Sequence, residues 1–273
     1  MKFAVNTNCM KDEFSCGEIV EICRNAGADG IEWGLGKLET AASDASEMYK
    51  LTTDAGLEVV SYINAGKLYK IDEIRRWSEA IVNNGGHILR VAHPWYAWDY
   101  KESLTRPDSF DNLMIKTRKG LERLVDLGKE FDIRYVLETH SGGCVASPIA
   151  VKYLMDGLDS RYVGAIYDPA NTYLEGFMRP RGAVEIMGQY LAYIHAKNIT
   201  WERLETNTGE RPEWTFKKCK LETGLANYEE IMFALKSVDY NGWISFEELY
   251  SDKNNFESEI RTGIGYLQKC FMT

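Results

Sequence analysis

YVLETH (135–140), AIYDPAN (165–171), YIHAKN (193–198) and WISFEE (243–248) decide how this chain folds. Each is a short β-prone run that ends in a residue able to bind a metal: Glu138, Asp168, His195 and Glu247. Ligand-type side chains at the same end of four successive strands point to one site at the mouth of a parallel barrel. Side chains alternate along a strand. In WISFEE, Ile244, Phe246 and Glu248 share one face, and Trp243, Ser245 and Glu247 share the other. The apolar pair suits an outside covered by helices, which turns Glu247 inward. The same parity groups Glu138 with His140, Ile166 with Asp168, and Tyr193 with His195 and Lys197. It leaves Leu137 and Thr139 outward.

Working outward, β-prone apolar segments begin near residues 2, 29, 57, 87, 134, 162, 191 and 243. Stretches of helical period lie between them. The clearest is 109–131, where Phe110, Leu113, Met114, Thr117, Leu121, Leu124, Val125 and Gly128 fall on one face. A capping box at Ser15 and Glu18 starts the first helix, and Gly27 stops it. Ser147 followed by Pro148 reads as N-cap and first helical residue, and Asn227 with Glu230 as another capping box. Ile260, Ile264 and Leu267 continue a helical pattern near the C-terminus. Strand then helix, eight times over, predicts a single (β/α)8 TIM barrel of the α/β class. No linker or shift of composition divides residues 1–273, so one domain is expected.

Composition narrows the functional classes. A chain 45% hydrophobic and 27% charged has a soluble globular balance. No run approaches the ~20 apolar residues of a membrane span, and MKFAVNTNCMKDEF carries no signal-peptide core. Six dispersed cysteines without a CxxC pair argue against a zinc ribbon or disulfide framework and suit a reducing cytoplasm. A net charge of −9 and a pI near 5.1 disfavour nucleic acid as a partner. Two connections exceed the usual ~2–6 residues of such barrels. One, about 94–108, follows His93 and holds Pro94, Trp95, Tyr96, Trp98 and Tyr100. The other, about 198–224, holds Trp201, Arg203, Arg211, Trp214, Phe216, Lys217 and Lys218. Both leave the strand ends where barrel active sites sit. Their basic residues permit a phosphorylated substrate without requiring one.

Two Glu, one Asp and one His make an oxygen-rich ligand set. It suits Mn²⁺ or Mg²⁺ best, and is also compatible with Co²⁺ or Zn²⁺. Without a cation, carboxylates held together would raise one another's pKa. Arg90 would be costly facing an apolar helix layer and is expected inside the barrel.

With these motifs in place, the chain resembles the xylose isomerase-like TIM-barrel superfamily, most of all its sugar (phosphate) isomerase/epimerase branch. GADGIEWG (27–34), with Glu32 pointing inward, matches the family's second strand, and GGHILRV (85–91) its fourth. The family's metal Glu, Asp, His and Glu fall on Glu138, Asp168, His195 and Glu247. Its H-x-K-D motif reads His195-Ala196-Lys197-Asn198, and its G-x-x-S-x-E strand spans Gly242 to Glu247. The chain departs from the ketose 3-epimerases at Asn171, where they often have His, and at Trp201, where they place a substrate-binding Arg. The glycine-rich turn before the last helix is also altered, as LETGLANY (221–228).

The resemblance implies a metal-dependent isomerase or epimerase for a sugar, sugar phosphate or related hydroxy-carbonyl compound. Metal coordination acidifies the C–H beside the carbonyl, and Glu138 and Glu247 move the proton through an enediolate. A dehydratase of an inosose-like or keto-polyol substrate would start from the same proton abstraction. His140, Asn171, Lys197, Arg90, Glu32, Trp95 and Trp201 are the expected substrate-side residues. Lys197 either binds a substrate oxygen or phosphate or pairs with Glu32, and a hydrogen-bonded core role is the plain alternative for His140. Asn6 and Asn8, closing the first strand, are weaker candidates, and Trp98 joins Trp95 and Trp201 as an apolar wall. Family barrels are often homodimers or homotetramers. An endonuclease IV-like hydrolase would need many histidines. This chain has four (His87, His93, His140 and His195), with His87 at the wrong end of its strand. A barrel that only binds a sugar would not need both Glu138 and Glu247.

Overall fold

The computed structural model describes residues 1–63, 66–95, 105, 108–204, 213–247 and 249–272. Tyr96, Trp98, Tyr100, Arg211 and Glu248, all singled out above, lie outside the described residues. The strands are β1 (Lys2–Asn6), β2 (Gly30–Gly34), β3 (Glu58–Ile63), β4 (Ile88–Arg90), β5 (Arg134–Glu138), β6 (Val163–Tyr167), β7 (Leu191–Ala196), β8 (Asn198–Leu204), β9 (Glu213–Cys219) and β10 (Trp243–Phe246). Strands β1 to β7 pair in sequence, and β10 closes the ring between β7 and β1. Every pairing in the ring is parallel.

The helices are α1 (Cys16–Ala26), α2 (Ala41–Asp54), α3 (Ile71–Ile81), α4 (Phe110–Phe131), α5 (Pro148–Met155), α6 (Pro169–Glu175), α7 (Pro180–Met187), α8 (Tyr228–Ser237) and α9 (Phe256–Met272). Their ends follow local chemistry. The Ser15–Glu18 capping box is made in both directions, and Gly27 ends α1 with φ 87°, a left-handed conformation that glycine adopts without strain. The Ser109 hydroxyl accepts from Asn112 N–H at the start of α4, and Ser147 caps α5 with Pro148 in its first turn. Two expectations need correction. Asn227 accepts from Glu230 N–H, but the Glu230 carboxylate turns to Arg179 Nη1 at 3.1 Å instead of completing a capping box. Phe110 is exposed, because it stands in the first turn of α4, ahead of the buried stripe from Leu113 to Gly128.

Two apolar layers hold the barrel. Leu89, Tyr135, Leu137, Ala165, Tyr167, Ile194, Ile244 and Phe246 are buried in the core between strands and helices. Val136, Ile166 and Tyr193 fill the barrel interior, with Ile88 and Trp243 against them. Each ligand candidate on β5, β6 and β7 therefore sits two residues beyond an interior apolar residue: Val136 before Glu138, Ile166 before Asp168, Tyr193 before His195. Alternation carries the inward direction from floor to mouth. In the connection after β7, β8 and β9 form an antiparallel hairpin, with Trp201 opposite Phe216 and Arg203 opposite Trp214. Among the described residues, no helix is long and apolar enough to cross a membrane.

Candidate metal centre

Four strand ends deliver four donors to one point. Ligand atoms of Glu138, Asp168, His195 and Glu247 all lie within 4.8 Å of one another, and all four residues are buried. His195 Nδ1 faces Glu138 Oε1 at 3.0 Å and Glu247 Oε2 at 3.3 Å. Three carboxylates and one imidazole nitrogen are the donor chemistry of a hard or borderline divalent cation. The residues present thus fit such an ion, held by Glu138, Asp168, His195 and Glu247.

Glu32 orients His195 from behind. Its fully buried carboxylate faces His195 Nε2 at 3.0 Å and accepts from Tyr193 Oη at 2.5 Å and Ser245 Oγ at 2.8 Å. This leaves Nδ1 as the imidazole atom turned to the other carboxylates. Parity turns both Tyr193 and Ser245 inward, but sequence carries no signal that they converge on Glu32. Thr139, placed outward by parity, also contributes: its hydroxyl accepts from Asp168 N–H at 2.9 Å and ties β5 to β6 just below the ligands.

Basic and amide groups balance the acids. Arg90 lies inside the barrel, hydrogen-bonded to Glu138 Oε2 and 3.7 Å from Glu247 Oε1. Lys197 bridges Asp168 Oδ2 at 2.9 Å and Glu247 Oε2 at 2.8 Å. The alternative pairing of Lys197 with Glu32 is not made, because Glu32 is taken by His195, Tyr193 and Ser245. Asn171 donates to Asp168 Oδ2 at 2.9 Å and to Glu138 Oε1 at 3.3 Å. Asn6 reaches Glu247 Oε1 at 3.4 Å. Burial works to raise the Glu138 carboxyl, but the Arg90 guanidinium and His195 outweigh it and hold it low. Burial likewise opposes ionisation of Glu247, and His195 with Lys197 overcomes it. At Asp168 burial wins: with Glu138 and Glu247 adding repulsion, its carboxyl is raised despite Lys197. Burial would keep His195 neutral, yet Glu247, Glu32 and Glu138 raise it.

The aromatic candidates divide. Trp95 meets the His140 ring edge-on with centroids 4.6 Å apart, and His93 lies 5.2 Å from Trp95. His140 Nδ1 lies 2.9 Å from Ser141 O, and His140 is not one of the four clustered residues. Trp201 is 44% exposed and packs edge-on against Phe216 on the β8–β9 hairpin, away from the cluster. Asn8 N–H binds the Asn6 side chain at 3.0 Å, a turn that aims Asn6 inward. Asn198 is structural. Its amide clamps the altered turn through Leu221 O at 2.7 Å and both the N–H and carbonyl of Ala226 at 2.9 Å.

Similarity to known proteins runs through the whole barrel. Inosose dehydratase of Bacillus velezensis is 26% identical over 139 residues, covering 47% of this chain and 45% of that protein. The chain thus matches less than half the length of this curated relative. The solved D-psicose 3-epimerase from Clostridium cellulolyticum H10, with D-tagatose, superposes with a TM-score of 0.77 at 13% identity, covering 99% of each chain. The IOLI protein, solved with a bound zinc atom, gives 0.77 at 14% identity over 99% of this chain and 98% of that one. The xylose isomerase-like TIM barrel model matches residues 20–270, and the chain belongs to that family.

Proposed function

We propose that this chain is a metal-dependent isomerase or epimerase of a sugar or related hydroxy-carbonyl compound, its 273 residues forming one barrel domain. The observation that carries the reading is His195 Nδ1 facing two buried glutamates, Glu138 at 3.0 Å and Glu247 at 3.3 Å, with Asp168 completing the cluster. When bound, a divalent cation polarises a carbonyl and its neighbouring hydroxyl; Mn²⁺ or Mg²⁺ suits the oxygen-rich set, and the zinc of the IOLI protein keeps Zn²⁺ in view.

The chain's own residues do the rest. Arg90 and His195 keep Glu138 ionised, and His195 and Lys197 keep Glu247 ionised, despite burial, which a proton-accepting base requires. One glutamate takes the proton beside the carbonyl and the other returns a proton, from the opposite face in an epimerisation. Asn171 and Lys197 orient substrate hydroxyls, and Trp95 with His140 walls the mouth. A second reading, a dehydratase, is favoured by the likeness to inosose dehydratase: after the same abstraction, a β-hydroxyl leaves instead of a proton returning. A soluble cytoplasmic enzyme, assembled as a homodimer or homotetramer, accords with the acidic composition and the family.

Deuterium exchange tests the proposal. The protein, loaded with Mn²⁺, is incubated in D₂O with ketoses, ketose phosphates, hydroxypyruvate and inososes and followed by NMR. Deuterium at a carbon beside a carbonyl, lost in Glu247→Gln, is the expected result, and the labelled product separates isomerase, epimerase and dehydratase. Full exchange in Glu247→Gln would remove Glu247 from the chemistry, and no exchange with any compound would overturn the proton-transfer reading.

A further inference from the structure

The cavity beside Glu247 bears on the substrate's charge. It has a volume of about 330 Å³ and lies where the connections after the seventh and eighth barrel strands meet. Its wall runs from Lys197 and Glu247, both buried, to Ser251, Asn255, Glu259 and Thr262. In barrels of this architecture a phosphate-binding site is often built there, from those two connections and a helix start. Its usual components are backbone N–H groups and a hydroxyl that converge on the phosphate oxygens.

This chain has the donors and fills them itself. Tyr250 N–H donates to Glu259 Oε1 at 2.9 Å, Ser251 N–H donates to Glu259 Oε2 at 3.0 Å, and the Ser251 hydroxyl donates to the same oxygen. The Glu259 carboxylate takes the bonds that two phosphate oxygens would take. Glu222 and Glu247 line the same cavity, so an arriving phosphate would meet three carboxylates. Of the two lysines on the wall, Lys197 already bridges Asp168 and Glu247, and Lys220 is exposed to solvent, one cation against the three carboxylates. The basic residues of the β8–β9 hairpin do not compensate: Lys217 Nζ pairs with Glu202 at 2.8 Å, and none of Arg203, Lys217 and Lys218 lines the cavity. Beside Lys220, the wall offers hydroxyl and amide groups from Asn255, Ser258 and Thr262, suited to the hydroxyls of a neutral chain or ring.

We infer that the cavity receives the uncharged, hydroxyl-bearing end of the substrate, and that Glu259 excludes a phosphate from it. The inference rests on the proton-transfer reading above for what the substrate is, and it narrows that reading to unphosphorylated compounds. Glu259 is a specificity-determining residue on this view, not a catalytic one.

The test separates the two ideas. Inorganic phosphate is titrated by calorimetry into the whole chain as purified, into Glu259→Ala and into the near-isosteric Glu259→Gln, with thermal melts to verify folding. Vacating two N–H donors and a hydroxyl should tighten phosphate binding in Glu259→Ala about tenfold or more over the parent, with Glu259→Gln between them. Equal binding by the parent and Glu259→Ala, or none by either, would overturn the inference whatever the enzyme does. The second arm pairs each ketose with its phosphate ester in the exchange assay. Label on the unphosphorylated member, shifting toward the ester in Glu259→Ala, is expected. Preferential labelling of the ester by the parent would sink the inference and leave the proton-transfer reading standing. No label on either member would sink the proton-transfer reading, while the phosphate titration would still decide the role of Glu259.

Discussion

Replacing Glu32 by Gln should cost metal affinity through His195, which Glu32 touches although it is not itself one of the four clustered ligands. Oε1 accepts from Tyr193 at 2.5 Å and Oε2 from Ser245 at 2.8 Å, while His195 Nε2 lies 3.3 Å and 3.0 Å from the two oxygens. A glutamine keeps the shape but turns one acceptor into a donor. In either amide orientation, an NH₂ group then faces a hydroxyl and the imidazole N–H that should donate to it. Water cannot relieve the clash, since Glu32 and His195 are fully buried. Each lost bond to the charged carboxylate is worth about 1.5–3 kcal/mol. The imidazole either rotates or keeps its place with an unpartnered N–H, and both weaken the hold of Nδ1. Supports of this kind typically change metal affinity by about 10–100-fold, or roughly 1.4–2.8 kcal/mol. The assay is a divalent-ion titration of metal-stripped protein against a chelating indicator, with circular dichroism to verify the fold. Glu32→Gln binding the ion as tightly as the parent would refute the reasoning, because His195 would then be oriented by something else.

Other perturbations separate ligand, scaffold and charge. His195→Ala should leave the purified protein with less bound metal by elemental analysis, and unchanged stoichiometry would strike His195 from the ligand set. Asn198→Ala removes the partners of Leu221 O and of the Ala226 N–H and carbonyl, so chemical denaturation should show a loss of about 2–4 kcal/mol; an unchanged midpoint would show that the clamp is dispensable. His93 is buried and held neutral by that burial, its pKa pushed down to about 4 from an ordinary 6.5. As pH falls through the unfolded value, the unfolded chain takes up a proton that the folded chain refuses until about pH 4. Stability from this group is therefore complete above pH ~6.5 and declines below it, by up to ~3 kcal/mol. Denaturation midpoints of His93→Gln should lose that part of the slope, and an identical slope in the variant would assign the acid sensitivity elsewhere.

Strand parity made much of this architecture legible. Ile244 and Phe246 facing helices forced Glu247 inward, and the barrel interior of Val136, Ile166 and Tyr193 follows the same alternation. Periodicity sees a direction, however, and not a partner. It gave Lys197 two prospects, substrate or Glu32, while the folded chain pairs it with Asp168 and Glu247, from strands distant in sequence. It turned Thr139 outward without revealing that its hydroxyl reaches across to Asp168 N–H. Trp201 looked like a wall of the mouth because its connection leaves the correct end of the barrel. The sequence of that connection carries a second pattern, paired strands, which sends Trp201 out along a hairpin opposite Phe216. Self-pairing of a long connection is decided by two segments jointly, and neither segment announces it alone.

The polar centre also explains what the barrel gives up. Glu32, Glu138, Asp168 and Glu247 are withdrawn from water, Lys197 and His195 are withdrawn with them, and Arg90 is half-buried beside them. Such clusters seldom stabilise a fold relative to apolar packing of the same volume, since desolvation offsets most of the attraction. The apolar floor beneath and the helix-facing layer outside must carry the stability instead. That division places the rigid apolar contacts at Val136, Ile166 and Tyr193, and leaves the mouth to hold buried acids, Glu138 and Glu247 kept low and Asp168 raised. A base that accepts a proton from carbon must be ionised, and both glutamates are held so despite their burial, Glu138 by Arg90 and His195 and Glu247 by His195 and Lys197.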